Sequence, residues 1–339
     1  MYAIRQHAFG APDMLVYEEV DTPAPGPGEV RVAVTAAGVH VMDTVLRAGR
    51  EMGMALPRLP MTPGREAAGV VDAVGAGVAE EWLGQRVAAY LGHERNGGYA
   101  THAVTSADSL HRVPDGVDDD TAVTMIGTGR TAVGILEQAA LSAGDVVVVT
   151  AAAGGLGTLL VQAARRAGAV VVGLAGSPRK LEVVREQGAN GAVDYTLPGW
   201  EEHLREALGG VPSTVVLDGV GGRLGRAAAE SLGAGGRHLY FGWVSDEGRF
   251  TGFSPEELEA YGITSQLAVG PALFGLPGGI RRLEETALRW AAQGRLSPVV
   301  QSFPLARAAR AHHALETRAT VGKVVLRPEA AAASRGQER

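Results

Sequence analysis

The run VVVVT (146–150) leads without a break into AAAGGLG (151–157) and LGTLLVQAARRAG (156–168), and no other stretch limits the possible folds of this chain so tightly. Four consecutive valines suit a strand covered on both faces, as in a parallel sheet. The segment after the glycines spaces its apolar residues at helical intervals, and Gly168 stands where a carboxyl cap belongs. Strand, glycine turn and helix in that order are the context of a dinucleotide fingerprint. Ala152 occupies the first glycine position, with Gly154 and Gly157 at the second and third. Gly154 lets the backbone approach a pyrophosphate, the amides of Gly155 and Leu156 point at it, and Gly157 permits tight packing of helix on strand.

A plain tight turn is the competing reading, and the surroundings argue against it. The same rhythm continues through AVVVGLA (169–175), PRKLEVVREQG (178–188), GAVDY (191–195), STVVLD (213–218) and RHLYFG (237–242), which predicts a doubly wound α/β unit with a parallel sheet, the Rossmann arrangement. Before it, short apolar runs such as VRVAVTAAGV (30–39), AAGVVDAVG (67–75) and QRVAAYL (85–91), broken by Gly and Pro, predict a β-rich region. VPDGVDDD (113–120) reads as a linker ending in a helix start, with Asp118 to Asp120 as capping carboxylates. After Gly270 come a helix (278–294), a strand near 298–303, a helix (305–316) and a strand (321–326). The expected division is a β-rich domain over 1–124 completed by 271–330, a nucleotide-binding domain over 125–270, and a frayed tail over 331–339.

The strand after the fingerprint decides which nicotinamide the turn receives. In NAD sites an Asp or Glu about 20 residues beyond the fingerprint holds the ribose 2′-hydroxyl. Here the chain reads GLAGSPRK (173–180), where Gly176, Ser177, Arg179 and Lys180 offer a hydroxyl and two cations and no carboxylate. A carboxylate would repel a 2′-phosphate, whereas cations and a hydroxyl bind one through charge-assisted hydrogen bonds. NADPH is the expected cofactor. Solvated residues of a first helical turn are the alternative for Arg179 and Lys180, although a cation there is unfavourable without an anion beside it.

At 339 residues the chain exceeds the size at which single cores stop growing, so two domains are expected. A net charge of −6, from 31 Lys plus Arg against 37 Asp plus Glu, argues against nucleic acid or anionic lipid as a partner. The sequence has no cysteine, which removes disulfides, thiolate catalysis and every zinc site built on cysteine. MYAIRQHAFGAPDML lacks the apolar core of a secretory signal, and no run approaches the roughly 20 apolar residues of a membrane span. A cytoplasmic protein is expected.

AAGVHVMDTVLRAG (36–49), PMTPGREAAGVVDAVG (60–75), AAAGGLGTLLVQAARRAGA (151–169) and GSPRKLEVVREQGANGAVDY (176–195), with DGVGG (218–222) and ETRATVGKVVL (316–326), carry a resemblance. Over nearly its whole length the chain resembles the quinone oxidoreductase branch of the medium-chain dehydrogenase/reductase superfamily. The resemblance implies a GroES-like catalytic domain built from both chain ends around a central Rossmann domain. It implies Ser177, Lys180 and Tyr195 as 2′-phosphate and adenosine contacts and Arg318 as a further phosphate contact. It also implies Thr131, Gly219, Val220, Gly221, Phe241 and Gly242 as neighbours of the nicotinamide. An ordinary strand-end aromatic and a surface residue are the alternatives for Tyr195 and Arg318. A homodimer, paired through an edge strand near Ile263 to Ala268, is expected at the family level.

Zinc alcohol dehydrogenases of the same superfamily would place a Cys at position 40 and a His at position 65, and would carry a four-cysteine lobe. His40 and Arg65 stand there instead. A guanidinium has no lone pair to offer, and His40 with Glu66 falls short of the three protein ligands of a catalytic zinc, so no metal is expected. Reduction then requires a hydride from the nicotinamide and a cation, donor or proton source for the charge developing on oxygen. His40, Asp43, Arg50, Arg65 and Tyr99 are the candidates. The branch usually carries an Asn where His40 stands and a Tyr near Arg50, so this chain departs from it at positions that touch substrate. For His40, a donor near neutral pH and a structural residue are both open. His312 and His313, adjacent on a helix, project differently and are read as structural or exposed. The leading expectation is reduction of quinones or other α,β-unsaturated carbonyl compounds. An enoyl-thioester reductase, or an NADPH-sensing or nucleic-acid-binding protein with incidental turnover, are the alternatives.

Overall fold

Alternation of side chains explains the first sheet. In the computed structural model, which describes residues 1–51, 55–92, 97–242 and 252–329, the strand Glu29–Val39 buries Val30, Val32 and Val34 while the residues between them are less covered. That is the pattern of a sheet with one face in a core. The strand pairs antiparallel with Glu66–Val74 and His102–Ser106, and its far end pairs with Lys323–Arg327. In order, the sheet runs Val300–Pro304, Lys323–Arg327, Glu29–Val39, Glu66–Val74, Arg86–Tyr90 and Leu110–Arg112. Gly69 lies where a Cβ would overlap the Ala33 carbonyl, so the two central strands approach at a point only glycine allows. Ile4, Val32, Val71, Tyr99, Leu110 and Leu326 belong to the core beneath. This GroES-like unit comprises Met1–Gly127, Val300–Thr320 and the chain from Val324 onward.

The second unit comprises Thr128–Val299 and Val321–Lys323. Its sheet has six parallel strands, in the order Gly191–Asp194, Val170–Ala175, Val146–Val149, Ser213–Asp218, Leu232–Tyr240 and Thr264–Leu267. The apolar runs explain the central strands: Val147, Val148, Val149, Val171, Val172, Val215 and Val216 are all fully buried. Helices Gly155–Arg166, Pro178–Glu186, Trp200–Ala207 and Gly222–Ala229 separate successive strands, which is the Rossmann-like arrangement. Leu204, Leu208 and Ala228 pack on Val148, Val172 and Val216. Thr264–Leu267, at the position expected for an edge strand, ends the sheet and pairs with Leu232–Tyr240.

The division of the chain differs from the expected one. The first boundary falls after Gly127, and residues 271–299 belong to the second unit instead of completing the first. The reason is the helix Gly279–Ala292, whose buried face of Leu283, Ala287 and Leu288 packs on the helix Arg130–Ala139. Arg282 joins the two through both Glu137 oxygens, at 2.6 and 2.7 Å. The expected frayed tail, 331–339, lies outside the described residues. Among the described residues no helix is long and apolar enough to cross a membrane.

Candidate functional site

The nucleotide turn is built from backbone. After Val146–Val149 the chain turns through Ala151, whose φ of 47° is left-handed. For a residue with a Cβ this conformation costs about 1–2 kcal/mol, and such outliers collect at functional turns. Gly154 caps the helix Gly155–Arg166, and the Thr158 amide closes the first turn on the Gly154 carbonyl at 3.0 Å. The amides of Leu156 and Gly157 therefore have no carbonyl within the helix, the arrangement that receives a phosphate. A Cβ at Gly157 would overlap Ala152 and the Ala151 carbonyl, so helix and turn seat together only with glycine here. Sequence reading missed one brace: the Gly322 amide donates to the Ala153 carbonyl at 2.7 Å, and Gly322 bridges to Gly154.

The next strand end gathers the residues expected at the 2′-phosphate. A Cβ on Gly176 would stand 2.9 Å from Tyr195 Cζ and Oη, so the phenol lies across this glycine. Ser177 caps the helix Pro178–Glu186 and accepts from the Lys180 amide at 3.4 Å. Gly176, Ser177, Lys180 and Tyr195 thus come together, while Arg179 is exposed on the same first turn. The neighbouring Asp194 carboxylate is engaged by Thr196, through its amide at 2.9 Å and hydroxyl at 2.6 Å.

The residues expected around the nicotinamide meet at two further strand ends. Asp218, fully buried, accepts from the amides of Val220 at 2.9 Å and Gly221 at 3.1 Å and from the Thr150 hydroxyl at 2.7 Å. Thr150 in turn accepts from the Gly219 amide at 2.8 Å. Burial alone would raise the Asp218 carboxyl, but the His238 ring, those two amides and Thr150 hold it below its usual range. The Asp218–His238 pair, 3.5 Å apart, was not anticipated; a histidine within the apolar strand RHLYF was the available signal. Phe241 packs beside Gly219, and Gly242 has no room for a Cβ against the Gly219 carbonyl. Thr131 is half-buried on the helix Arg130–Ala139, and Arg318 is an exposed residue of the first unit with a φ of 56°.

In the first unit His40 caps the helix Val41–Arg47, and its backbone amide donates to Asp43 Oδ2 at 2.8 Å. His40 Nε2 lies 2.5 Å from Glu66 Oε1; the glutamate is fully buried, whereas the His40 side chain is 31% exposed. A Cβ on Gly127 would overlap the Glu66 carboxylate, so that carboxylate sits directly against backbone. Asp43 Oδ2 also accepts from the Tyr99 hydroxyl at 3.0 Å, and Asp43 Oδ1 is 3.5 Å from Arg65 Nε. Burial would lower the Arg65 guanidinium, but the Asp43 carboxylate, helped by Tyr90 and Glu66, holds it above its usual value. Burial and the Asp43 charge push the Tyr99 phenol well above its usual range. Tyr99 and Asp43 are both buried and bonded to each other. Arg50 is exposed, and no bond joins it to this cluster.

His312 is the cluster member that sequence reading undervalued. As expected, it and His313 diverge: His313 is exposed, while His312 is fully buried with Nε2 3.2 Å from the Tyr99 oxygen. Burial, with the Arg47 charge adding to it and Asp43 opposing, lowers the His312 imidazole from 6.5 to about 4. The folded protein therefore binds fewer protons than the unfolded chain between those values. Stability is fully present above pH 6.5 and falls as pH drops toward 4, by up to about 3 kcal/mol. Urea unfolding of wild type and His312→Phe at pH 7 and pH 4.5 is expected to show a shallower pH dependence in the variant. Equal pH dependence in the two proteins would remove His312 as its cause.

Among the described residues no three His, Cys, Asp or Glu side chains are arranged to hold a metal ion. At the place of a catalytic zinc stand one histidine, one glutamate and a guanidinium, a donor set that does not fit the ion. The fold and site define an oxidoreductase that joins a GroES-like unit to a Rossmann-like nucleotide-binding unit. Residues 26–115 match the alcohol dehydrogenase GroES-like domain, and residues 155–270 match the zinc-binding dehydrogenase family. A 2-haloacrylate reductase from Burkholderia sp is 33% identical over 332 residues, covering 96% of this chain and 98% of that protein. A quinone oxidoreductase from Pseudomonas aeruginosa is 32% identical, covering 95% and 98%. The crystal structure of Escherichia coli quinone oxidoreductase complexed with NADPH superposes with a TM-score of 0.83 at 28% identity, covering 97% of this chain and 100% of that one. The chain belongs to the quinone oxidoreductase branch of the medium-chain dehydrogenase/reductase superfamily.

Proposed function

We propose that this oxidoreductase is NADPH-dependent, works without a metal, and reduces quinones or other α,β-unsaturated carbonyl compounds. The observation that carries the reading is the strand end where Gly176, Ser177, Lys180 and Tyr195 gather while the neighbouring Asp194 carboxylate is engaged by Thr196. A hydroxyl and two cations at this strand end suit a 2′-phosphate. The 2-haloacrylate reductase supports the substrate class, because a haloacrylate is itself a conjugated alkene beside a carboxylate.

Bound NADPH supplies the hydride. The turn at Gly154 to Gly157 holds its pyrophosphate, Ser177, Arg179 and Lys180 its 2′-phosphate, and Gly219 to Gly221 with Phe241 and Gly242 flank its ring. Of the polar cluster in the first unit, His40 alone combines exposure with a buried carboxylate that fixes its ring, so it is the group that meets the substrate oxygen. Asp43 accepts from the His40 amide and the Tyr99 hydroxyl, pairs with Arg65, and serves as an anchor.

NADPH consumption measured with a panel of quinones, enones and haloacrylates, before and after dialysis against a chelator, tests the proposal. Turnover on conjugated carbonyl substrates, unchanged by the chelator, is the expected result. Tight NADPH binding with no turnover on any of them, or loss of activity to the chelator, would overturn it.

A further inference from the structure

Asp218 is the point on which side chains from neighbouring strands of the second unit converge. It closes the strand Ser213–Asp218, which lies between Val146–Val149 and Leu232–Tyr240 in the sheet. From one side the Thr150 hydroxyl donates to Asp218 Oδ1 at 2.7 Å, and from the other His238 Nε2 faces Asp218 Oδ2 at 3.5 Å. A carboxylate only accepts, so Nε2 carries a proton toward it in the neutral and the charged ring alike. The second ring nitrogen, Nδ1, is 2.9 Å from Ser265 Oγ on the strand Thr264–Leu267. His238 and Ser265 are partners in the register of their two strands, so backbone pairing fixes this contact.

Ser265, His238 and Asp218 thus form a row across three adjacent strands, and the row ends on a turn. Asp218 holds the amides of Val220 and Gly221 directly and that of Gly219 through Thr150. A glycine-rich turn such as DGVGG has little conformational preference of its own, so these bonds impose its shape. The carboxylate in turn has no room to shift, because a Cβ on Gly225 would stand only 2.0 Å from Oδ2. His238 and Asp218 are both buried, and a buried pair of this kind contributes little net stability. Its effect falls on the geometry of what it holds.

We propose that His238 and Ser265 are positioning residues for hydride transfer: they fix the Asp218 carboxylate and, through it, the Gly219–Gly221 turn beside the nicotinamide ring. The last strand of the sheet thereby bears on the ring site. This inference rests on the proposed placement of the nicotinamide at Gly219 to Gly221.

Three variants of the full chain test it. His238→Phe keeps the bulk of the ring and removes both polar contacts, Ser265→Ala removes one, and His238→Gln returns a donor to the carboxylate. Each is read by single-turnover hydride transfer to a conjugated carbonyl substrate at saturating NADPH, by the fluorescence of the bound nicotinamide, and by binding of adenosine 2′,5′-diphosphate, which lacks the ring. His238→Phe is expected to slow hydride transfer about tenfold and to lose about half of the fluorescence gain, with adenosine 2′,5′-diphosphate affinity within about twofold. Ser265→Ala is expected to slow transfer about threefold and to add nothing to His238→Phe, while His238→Gln stays within about twofold of wild type. Unchanged transfer in either of the first two variants, or a parallel loss of adenosine 2′,5′-diphosphate binding, overturns the positioning role. So does a His238→Gln protein as slow as His238→Phe. Should His238→Phe not fold, Ser265→Ala decides alone. Wild-type inertness toward every conjugated carbonyl sinks the proposed function instead, and the nicotinamide fluorescence still decides the positioning role; a wild type that binds no nicotinamide nucleotide overturns both.

Discussion

Replacing Lys180 with Glu is expected to weaken NADPH binding about 100-fold while changing NADH binding less than about threefold. Lys180 sits in the first turn of the helix Pro178–Glu186, and its amide already bonds to the Ser177 hydroxyl, so its backbone position is fixed before any ligand arrives. A charge-assisted hydrogen bond from an ammonium to a phosphate contributes about 1.5–3 kcal/mol. Substituting a carboxylate removes that bond and adds repulsion, whereas a cofactor without the 2′-phosphate has little to lose. Fluorescence titration of the variant with both nucleotides reads the effect, and a parallel loss for NADH would mean that Lys180 acts on the fold of the turn and not on the phosphate.

The second large effect belongs to Gly157→Val, which is expected to abolish nucleotide binding and to destabilise the second unit by about 3 kcal/mol or more. A Cβ here would overlap Ala152 and the Ala151 carbonyl, and both are backbone-bound parts of the turn that cannot swing aside. The helix Gly155–Arg166 must then lift from the strand, carrying the Leu156 and Gly157 amides with it. Gly144→Ala in the same unit is the control, since nothing lies within 4 Å of a Cβ there. Thermal unfolding and NADPH titration of both variants give the comparison; a Gly157→Val protein that binds normally would show that the turn tolerates displacement.

Much of this architecture was legible in the sequence wherever burial marks every position. VVVVT, AVVVGLA and STVVLD became Val146–Val149, Val170–Ala175 and Ser213–Asp218, because strands covered on both faces leave no polar gaps. The strand behind RHLYFG begins earlier than expected, at Leu232, since LGAGG carries no apolar period. The helix Gly279–Ala292 was found but assigned to the wrong unit: an amphipathic pattern says that a face is covered and not by what.

The site divides along the same line. The turn at 151–157 and the helix start at 176–180 each lie within a short contiguous stretch, so residue type and order predict their backbone geometry. The cluster of Asp43, Tyr99 and His312 joins residues 56 and 213 positions apart, and no local pattern encodes such a meeting. Tyr99 and Asp43 were accordingly read as candidates for chemistry, while their hydrogen bonds engage them with each other in the core.

The proposed discrimination of one extra phosphate by the second unit is tested most directly by titrating the purified wild-type protein with NADPH and NADH side by side. NADPH is expected to bind about 100-fold more tightly. Equal affinities, or tighter binding of NADH, would contradict the assignment of Ser177, Arg179 and Lys180 to the 2′-phosphate.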